Sequence, residues 1–324
     1  MRIIGQTARV LAVTILSALA LSAAPSNAEP WPQRTVRVIV PLPPGIAIDL
    51  LARLFAEHLS ERWHQSVVVE NRPGADGIPA MTEFIRSRDN HTLLFSFAGI
   101  ITINPVVYDK LPYDPSKDLV PVVSVADNFV GVAVTEALKV TSLDAFVKLA
   151  RAQPGKLNWA ATPGIPLYAF AALQNRAAIN IAQVPYRDFQ PALLDVAEGR
   201  IQAAATGVTF LLPQMRAGKT RLLTVFSPER SPQAPDVPTA AEAGYPELAF
   251  RSVSGFYGWR DMSPDLKEQI AADVRAVASN PSIAARVASM GAVLRTGAPS
   301  EFAAAIEEQR VRIAQIARAM KPKQ

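Results

Sequence analysis

Two segments of the chain hold the residue types from which an anion site could be built out of backbone alone. In Val38-Ile39-Val40-Pro41-Leu42-Pro43-Pro44-Gly45-Ile46-Ala47-Ile48-Asp49 a β-branched run passes through prolines and a glycine into a helical pattern. Asn158-Trp159-Ala160-Ala161-Thr162-Pro163-Gly164-Ile165-Pro166-Leu167-Tyr168 repeats that order. The first amides of a helix have no intrahelical acceptor and carry partial positive charge, so a carboxylate placed there is stabilised. Taken alone, the first segment reads more readily as an ordinary tight turn, and the pair as two unrelated turns. Asp49 is expected to tie its turn by accepting from backbone N–H groups rather than to serve as an acid or base. A third segment, Gln183 to Ala192, offers Tyr186 as a pocket wall and an Arg187–Asp188 pair whose simplest reading is solvated surface.

Reactive chemistry finds little support. No Gly-x-Ser-x-Gly elbow, phosphate-binding Walker loop, His-Glu-x-x-His pair or dinucleotide fingerprint occurs. The chain has no cysteine, which excludes disulfides, thiolate nucleophiles and iron–sulfur or zinc-cysteine sites. Its three histidines, His58, His64 and His91, are spaced unlike paired metal ligands and read as surface or helix-end residues. Glu70 and Asp76, flanking Asn71-Arg72-Pro73-Gly74, read as turn caps. No catalytic residue, metal or cofactor is therefore expected.

The elements that would position the two anion turns follow from periodicity. Arg2 and Arg9, an uncharged apolar run from Val10 to Leu21 and the small residues ending Ser26-Asn27-Ala28 form a secretory signal, with cleavage expected after Ala28. The apolar run is shorter than the ~20 residues a bilayer span requires. The remaining 296 of the 324 residues exceed one typical core, so two lobes are expected. Two of the 33 basic residues and none of the 28 acidic ones fall in the leader, so the net charge drops from +5 to +3. That excess is too small and scattered for a nucleic-acid footprint. Strands are expected at 36–40, 67–70, 92–96, 130–134, 157–160, 201–205 and 221–226. Amphipathic stretches between them, such as Ile48, Leu51, Leu54, Phe55 and Leu59, imply an α/β fold with mostly parallel strands. Residues 227–242, with four prolines, read as a long loop before a largely helical tail. Ser263-Pro264-Asp265 should start one helix and Ser300-Glu301 the last, whose face of Phe302, Ile306, Ile313 and Ile316 should dock back on the first lobe.

Read together, several stretches resemble the substrate-binding proteins of tripartite tricarboxylate transporters, the Bug family. They are Val67-Val68-Val69-Glu70-Asn71-Arg72-Pro73-Gly74-Ala75, Asn104-Pro105, Leu111-Pro112-Tyr113-Asp114-Pro115 and Val184-Pro185-Tyr186-Arg187. Downstream come Ala217-Gly218-Lys219, Arg230-Ser231-Pro232 and Pro235-Asp236-Val237-Pro238-Thr239-Ala240-Ala241-Glu242-Ala243-Gly244. The resemblance implies a type II periplasmic-binding-protein fold, with two α/β lobes closing on a ligand cleft, Venus-flytrap fashion, about crossing hinge strands. Lobe 1 would comprise 29–129 and 252–324, and lobe 2 would comprise 130–251. It further implies a periplasmic, monomeric receptor that captures a small organic carboxylate for membrane permease subunits or a sensor protein. Carried onto this chain, ligand contacts would come from Pro44, Gly45, Ile46 and Ala47, from Ser96 and Ala98, and from Thr162, Gly164, Pro166 and Thr206.

Three departures qualify that picture. Ile46 follows Gly45 where relatives usually carry a second glycine, and Pro166 removes a backbone donor from the second loop. Thr206 stands where some relatives place an aspartate that engages an amine, which disfavours amino acids. Fewer amides and more apolar surface point to a less charged acid, or one with an apolar or aromatic body. The competing readings are an exported hydrolase or isomerase on the same scaffold, and an interaction module that has lost its ligand.

Overall fold

The computed structural model describes residues 31–186 and 189–320, with side chains as far as Arg318. The expected leader and the Arg187–Asp188 pair lie outside the described residues. The fold below is that of residues from Arg34 onward.

Two sheets form. The first has the order β11-β4-β10-β3-β1-β2. It is built from β1 (Val36–Val40), β2 (Val67–Asn71), β3 (Thr92–Phe97), β4 (Leu119–Asn128), β10 (Ser252–Trp259) and β11 (Ala292–Leu294). The second has the order β7-β6-β8-β5-β9. Its members are β5 (Val130–Thr135), β6 (Asn158–Ala161), β7 (Ala182–Gln183), β8 (Ala203–Gly207) and β9 (Thr220–Val225). Helices α1 (Ala47–Trp63), α2 (Ile78–Ser87) and α3 (Ala98–Val107) follow strands of the first sheet. In the second, α4 (Leu143–Ala152), α5 (Ile165–Ala177), α6 (Phe189–Ala197) and α7 (Val208–Arg216) do the same. The chain ends with α8 (Pro264–Ala278), α9 (Pro281–Ser289) and α10 (Pro299–Met320).

The expectation of mostly parallel sheets is corrected. Among the strands of the described residues, parallel ladders join β1 with β2 and β3, and β6 with β7 and β8. The pairs of β10 with β3 and β4, of β11 with β4, and of β5 with β8 and β9 are antiparallel. A strand–helix–strand crossover returns the chain in the same direction. From β4 to β5 the chain passes instead from one sheet to the other through Phe129 alone, with no helix to turn it.

Two expectations for the tail also change. Residues 252–259 form the strand between β3 and β4, although Gly255 and Gly258 weaken the local strand pattern. Both glycines answer to close approach. A methyl at Gly255 would collide with the Val123 carbonyl oxygen and lie 2.7 Å from Phe302 Cζ, and one at Gly258 would lie 2.5 Å from Met262 Cε. β4 hides its character behind Pro121, which the sheet accommodates at a register shift opposite Tyr257.

The N-cap expected at Ser263 forms, its Oγ accepting from Leu266 N at 3.2 Å. The last helix starts at Pro299, one residue before Ser300, and Glu301 accepts from Ala298 N at 3.1 Å. Its buried face is shared between the two halves of the molecule. Phe302 and Ala305 pack with Ile39, Leu94 and Tyr257 beside the first sheet. Ile313 and Ile316 pack with Val132, Trp159 and Phe170 beside the second. Between them the buried Tyr168 hydroxyl of α5 donates to Ile313 O at 2.9 Å. Tyr168→Phe is therefore expected to cost about 1 kcal/mol. A urea midpoint unchanged from the parent would show that this bond is not stabilising.

Candidate functional site

β1 and β3 are parallel neighbours, so the chain leaves both at one edge of the first sheet and enters α1 and α3 there. β6 and β8 are likewise parallel neighbours in the second sheet, feeding α5 and α7. Helix starts thus lie beyond the carboxyl ends of adjacent strands, the usual ligand position in open α/β sheets. The two sets meet at α3 and α5. Gly99, in the first turn of α3, is so close to the buried Ile165 that a methyl in place of its hydrogen would stand 3.0 Å from Ile165 Cγ1.

In the β1–α1 turn Pro44 and Gly45 are exposed, and Ile46 and Ala47 are half-buried. Gly45 holds φ 87°, a conformation that a side chain would strain, and the helix cap at Ile46 carries no side-chain bond. The buried Asp49 shapes this turn from below. Its Oδ2 accepts from Gly45 N at 2.8 Å and Arg53 Nε at 3.0 Å, and its Oδ1 accepts from Asn71 Nδ2 at 2.9 Å. The same Asn71 nitrogen donates to Leu42 O at 2.9 Å, joining the end of β2 to the loop. Burial alone would raise the Asp49 pKa, but the bonds from Arg53, Gly45 and Asn71 outweigh it and hold the carboxyl below its ordinary value. An ionised, fully engaged aspartate is unsuited to proton transfer. Its use is to fix the loop.

At the end of β3, Ser96 is fully buried and its hydroxyl donates to Phe97 O at 3.1 Å. Ala98 opens α3, again with no side-chain cap. Across the cleft, Gly164 sits at φ 87° before α5, and Pro166 is buried at its second position. Thr162 and Thr206 pair through their hydroxyls at 3.1 Å, joining the ends of β6 and β8. Thr162 N donates to Ala205 O, while its own carbonyl accepts from Leu167 N, both at 3.2 Å. All ten residues expected to touch a ligand therefore lie on strand-to-helix turns, two from each sheet, at the carboxyl ends of parallel strands.

Sequence reasoning passed over two nearby features. Gly99 and Ile165 form the contact between the two sets of turns, and a glycine two residues past a buried strand is the available signal for close approach. The turn Gly74 to Gly77 holds four consecutive positive φ angles, including Ala75 at 41° and Asp76 at 50°. A methyl on Gly77 would lie 3.0 Å from Pro41 Cβ and 3.1 Å from Ile100 Cγ2, so this turn abuts the first helix start. Asp76, expected to cap, is anchored from α3's carboxyl end. Its carboxylate accepts from the Tyr108 hydroxyl, which that bond and burial push up to about 12, and its carbonyl accepts from Asn104 Nδ2. Tyr186 donates to Asp195 Oδ2 at 2.5 Å, and burial with that bond pushes its phenol up to about 12. His64 closes α1 in the left-handed conformation, a helix-end position as expected.

A site of this kind offers a small anion backbone dipoles and hydroxyls. It fits capture better than turnover, because Asp49, the acid of the turn, is lowered in pKa where a general acid would be raised.

Comparison with known proteins agrees with that arrangement. Residues 51–321 match the family described as "Tripartite tricarboxylate transporter family receptor". Protein BugT of Bordetella pertussis is 36% identical over 247 residues, 74% of this chain and 75% of BugT. An R. palustris protein solved with adipate is 29% identical with a TM-score of 0.80, covering 90% of this chain and 98% of its own. MatC from Rhodopseudomonas palustris, solved with bound malate, is 26% identical with a TM-score of 0.78, covering 89% and 100%.

Proposed function

We propose, since the chain belongs to the tripartite tricarboxylate transporter family of receptors, that it is a periplasmic solute-binding receptor capturing a small organic carboxylate and performing no reaction on it. The observation that carries this reading is the convergence of uncapped helix starts from two sheets, with Gly99 against Ile165 between them. On this reading the carboxylate is held by the turns Pro44 to Ala47 and Ser96 to Ala98, with Thr162, Gly164, Pro166 and Thr206 covering it from the other side. The lobes are 29–129 with 252–324, and 130–251. The hinge is where β4 passes into β5 and where residues 250 and 251 lead into β10. The receptor leaves the cytoplasm by its 28-residue leader, acts as a monomer and hands its ligand to permease subunits or reports it to a sensor.

Ligand that binds only the folded chain stabilises it by ~2.7 kcal/mol at a hundredfold excess over Kd. A thermal-shift screen of mono- and dicarboxylates and aromatic acids should find at least one acid that raises Tm. A flat response across all acids, with neutral amides and alcohols shifting Tm instead, would sink the carboxylate reading. An exported hydrolase would reveal itself by consuming the acid's ester or amide.

A further inference from the structure

We infer that the turn from α9 into β11 is a strap that fastens the first sheet to elements of the second and holds the two in one relative placement before any ligand binds. The inference stands apart from the identity of the ligand.

The strap runs beside the joint between the sheets. β11 pairs with β4 as far as the last residue of that strand, with Ala292 opposite Asn128 and Val293 opposite Asp127. One residue further, Phe129 carries the chain into the second sheet. A joint of one residue turns with little resistance from its own backbone, so packing across it decides whether it turns. Met290 and Gly291 stand just past the last rung of the ladder, and there the strap meets elements of the second sheet. Thr209, in the first turn of α7, donates its hydroxyl to Met290 O at 3.2 Å. Gln233, in the loop after β9, donates from Nε2 to Ala288 O at 3.0 Å. Gly291 holds φ 81°, and a methyl on it would collide with Thr209 Oγ1 and lie 2.8 Å from Thr209 Cβ. Val293 packs on the buried cluster that contains Phe129, Val208 and Leu222.

Charges tie the same point. Asp127, buried at the end of β4, accepts from Arg251 Nε at 3.1 Å, and Arg251 immediately precedes β10, the strand that brings the chain back into the first sheet. Arg295 pairs with Asp127 at 3.1 Å through one nitrogen and with Glu229, in the loop after β9, at 3.2 Å through the other. The pair with Glu229 is exposed and contributes little. The fit of Gly291 on Thr209 and the two bonds to strap carbonyls therefore carry the attachment. Thr209 follows Thr206 by three residues, so the strap also holds the turn that brings Thr206 to the proposed site. A chain kept in its binding arrangement forfeits no affinity to unproductive placements.

The chain has no cysteine, so two introduced ones take spin labels uniquely. Glu61→Cys on α1 and Lys148→Cys on α4 occupy exposed positions on helices that follow strands of the first and second sheet. Pulsed electron–electron resonance on the ligand-free protein should give one narrow distance distribution. Gly291→Ala should broaden or split it, whereas Gly155→Ala, which bears the same left-handed strain in open space, should leave it unchanged. Thr209→Val with Gln233→Leu removes both side-chain bonds while keeping Gly291, and becomes the deciding variant if the circular dichroism of Gly291→Ala departs from the parent's. A broad distribution in the parent, or an unchanged narrow one in the deciding variant, overturns the inference.

Discussion

Gly255→Ala is expected to lower stability by about 3 kcal/mol, the upper end of what overpacking a core costs. Gly255 lies in the strand between β3 and β4, opposite Ser96 on one side and Ser124 on the other. Its missing side chain is replaced by Phe302 of the last helix, whose ring would be 2.7 Å from an added methyl, with the Val123 carbonyl on the other flank. Backbone on one side and a fully buried aromatic on the other leave nothing flexible to yield. Phe302 also packs against Tyr257 with the rings tilted at 48° and 5.0 Å between centroids, so displacing it loosens the seat of α10. Gly155→Ala serves as the control. That residue has φ 74° but nothing within 4 Å, so it should show only the left-handed backbone penalty of about 1 kcal/mol. Urea unfolding of the two variants separates the effects, and a midpoint for Gly255→Ala no lower than that of the control would refute the close-packing account.

Asp49→Ala should cost a similar amount, about 3 kcal/mol, and remove most ligand affinity. Three donors lose a charged acceptor at once, and bonds to charged groups contribute more than neutral ones. Gly45 would then be free to leave the φ it holds, and the helix start of the proposed site would lose its shape. The ion pair with Arg53 adds little by itself, because Arg53 is half-exposed. The pH dependence follows from the same geometry. The folded-state pKa of Asp49 lies below its ordinary value of 3.8. Its contribution is therefore complete above that value and is lost as pH falls through the lowered one, when the native carboxylate takes up a proton. Stability of the parent should decline below about pH 4 with a component that Asp49→Ala lacks. Parallel stability curves for parent and variant over that range would show that the carboxylate is not the turn's anchor.

Much of the site was legible because its signals are local. Pro-Gly between a buried strand and an amphipathic helix marks a turn with exposed amides whatever the rest of the chain does, and the turns before α1 and α5 were read this way. Asp49 was legible as a turn residue because an aspartate early in a helix has nearby N–H groups to accept. Neither the meeting of these turns nor the partners of Ser96 and Thr206 could be read locally. Thr162 and Thr206 are 44 positions apart and bond only because β6 and β8 pair in parallel. Gly99 and Ile165 belong to different sheets, and no periodicity within either helix relates them.

The sequence by itself determined the alternation of strand and helix, a size beyond one typical core, the absence of cysteine chemistry and the turns that could hold an anion. These follow from burial patterns and backbone preferences acting over a few residues. Tertiary structure decided the direction of the crossing strands and the place of β10, whose glycines weaken the local signal while serving the contacts with Val123, Phe302 and Met262. It also decided that the last helix packs beside both sheets, and that a branched apolar side chain rests on a glycine where the turns meet. Those outcomes depend on which distant surfaces exclude water together, and hydrophobic burial has no direction until the chain is folded.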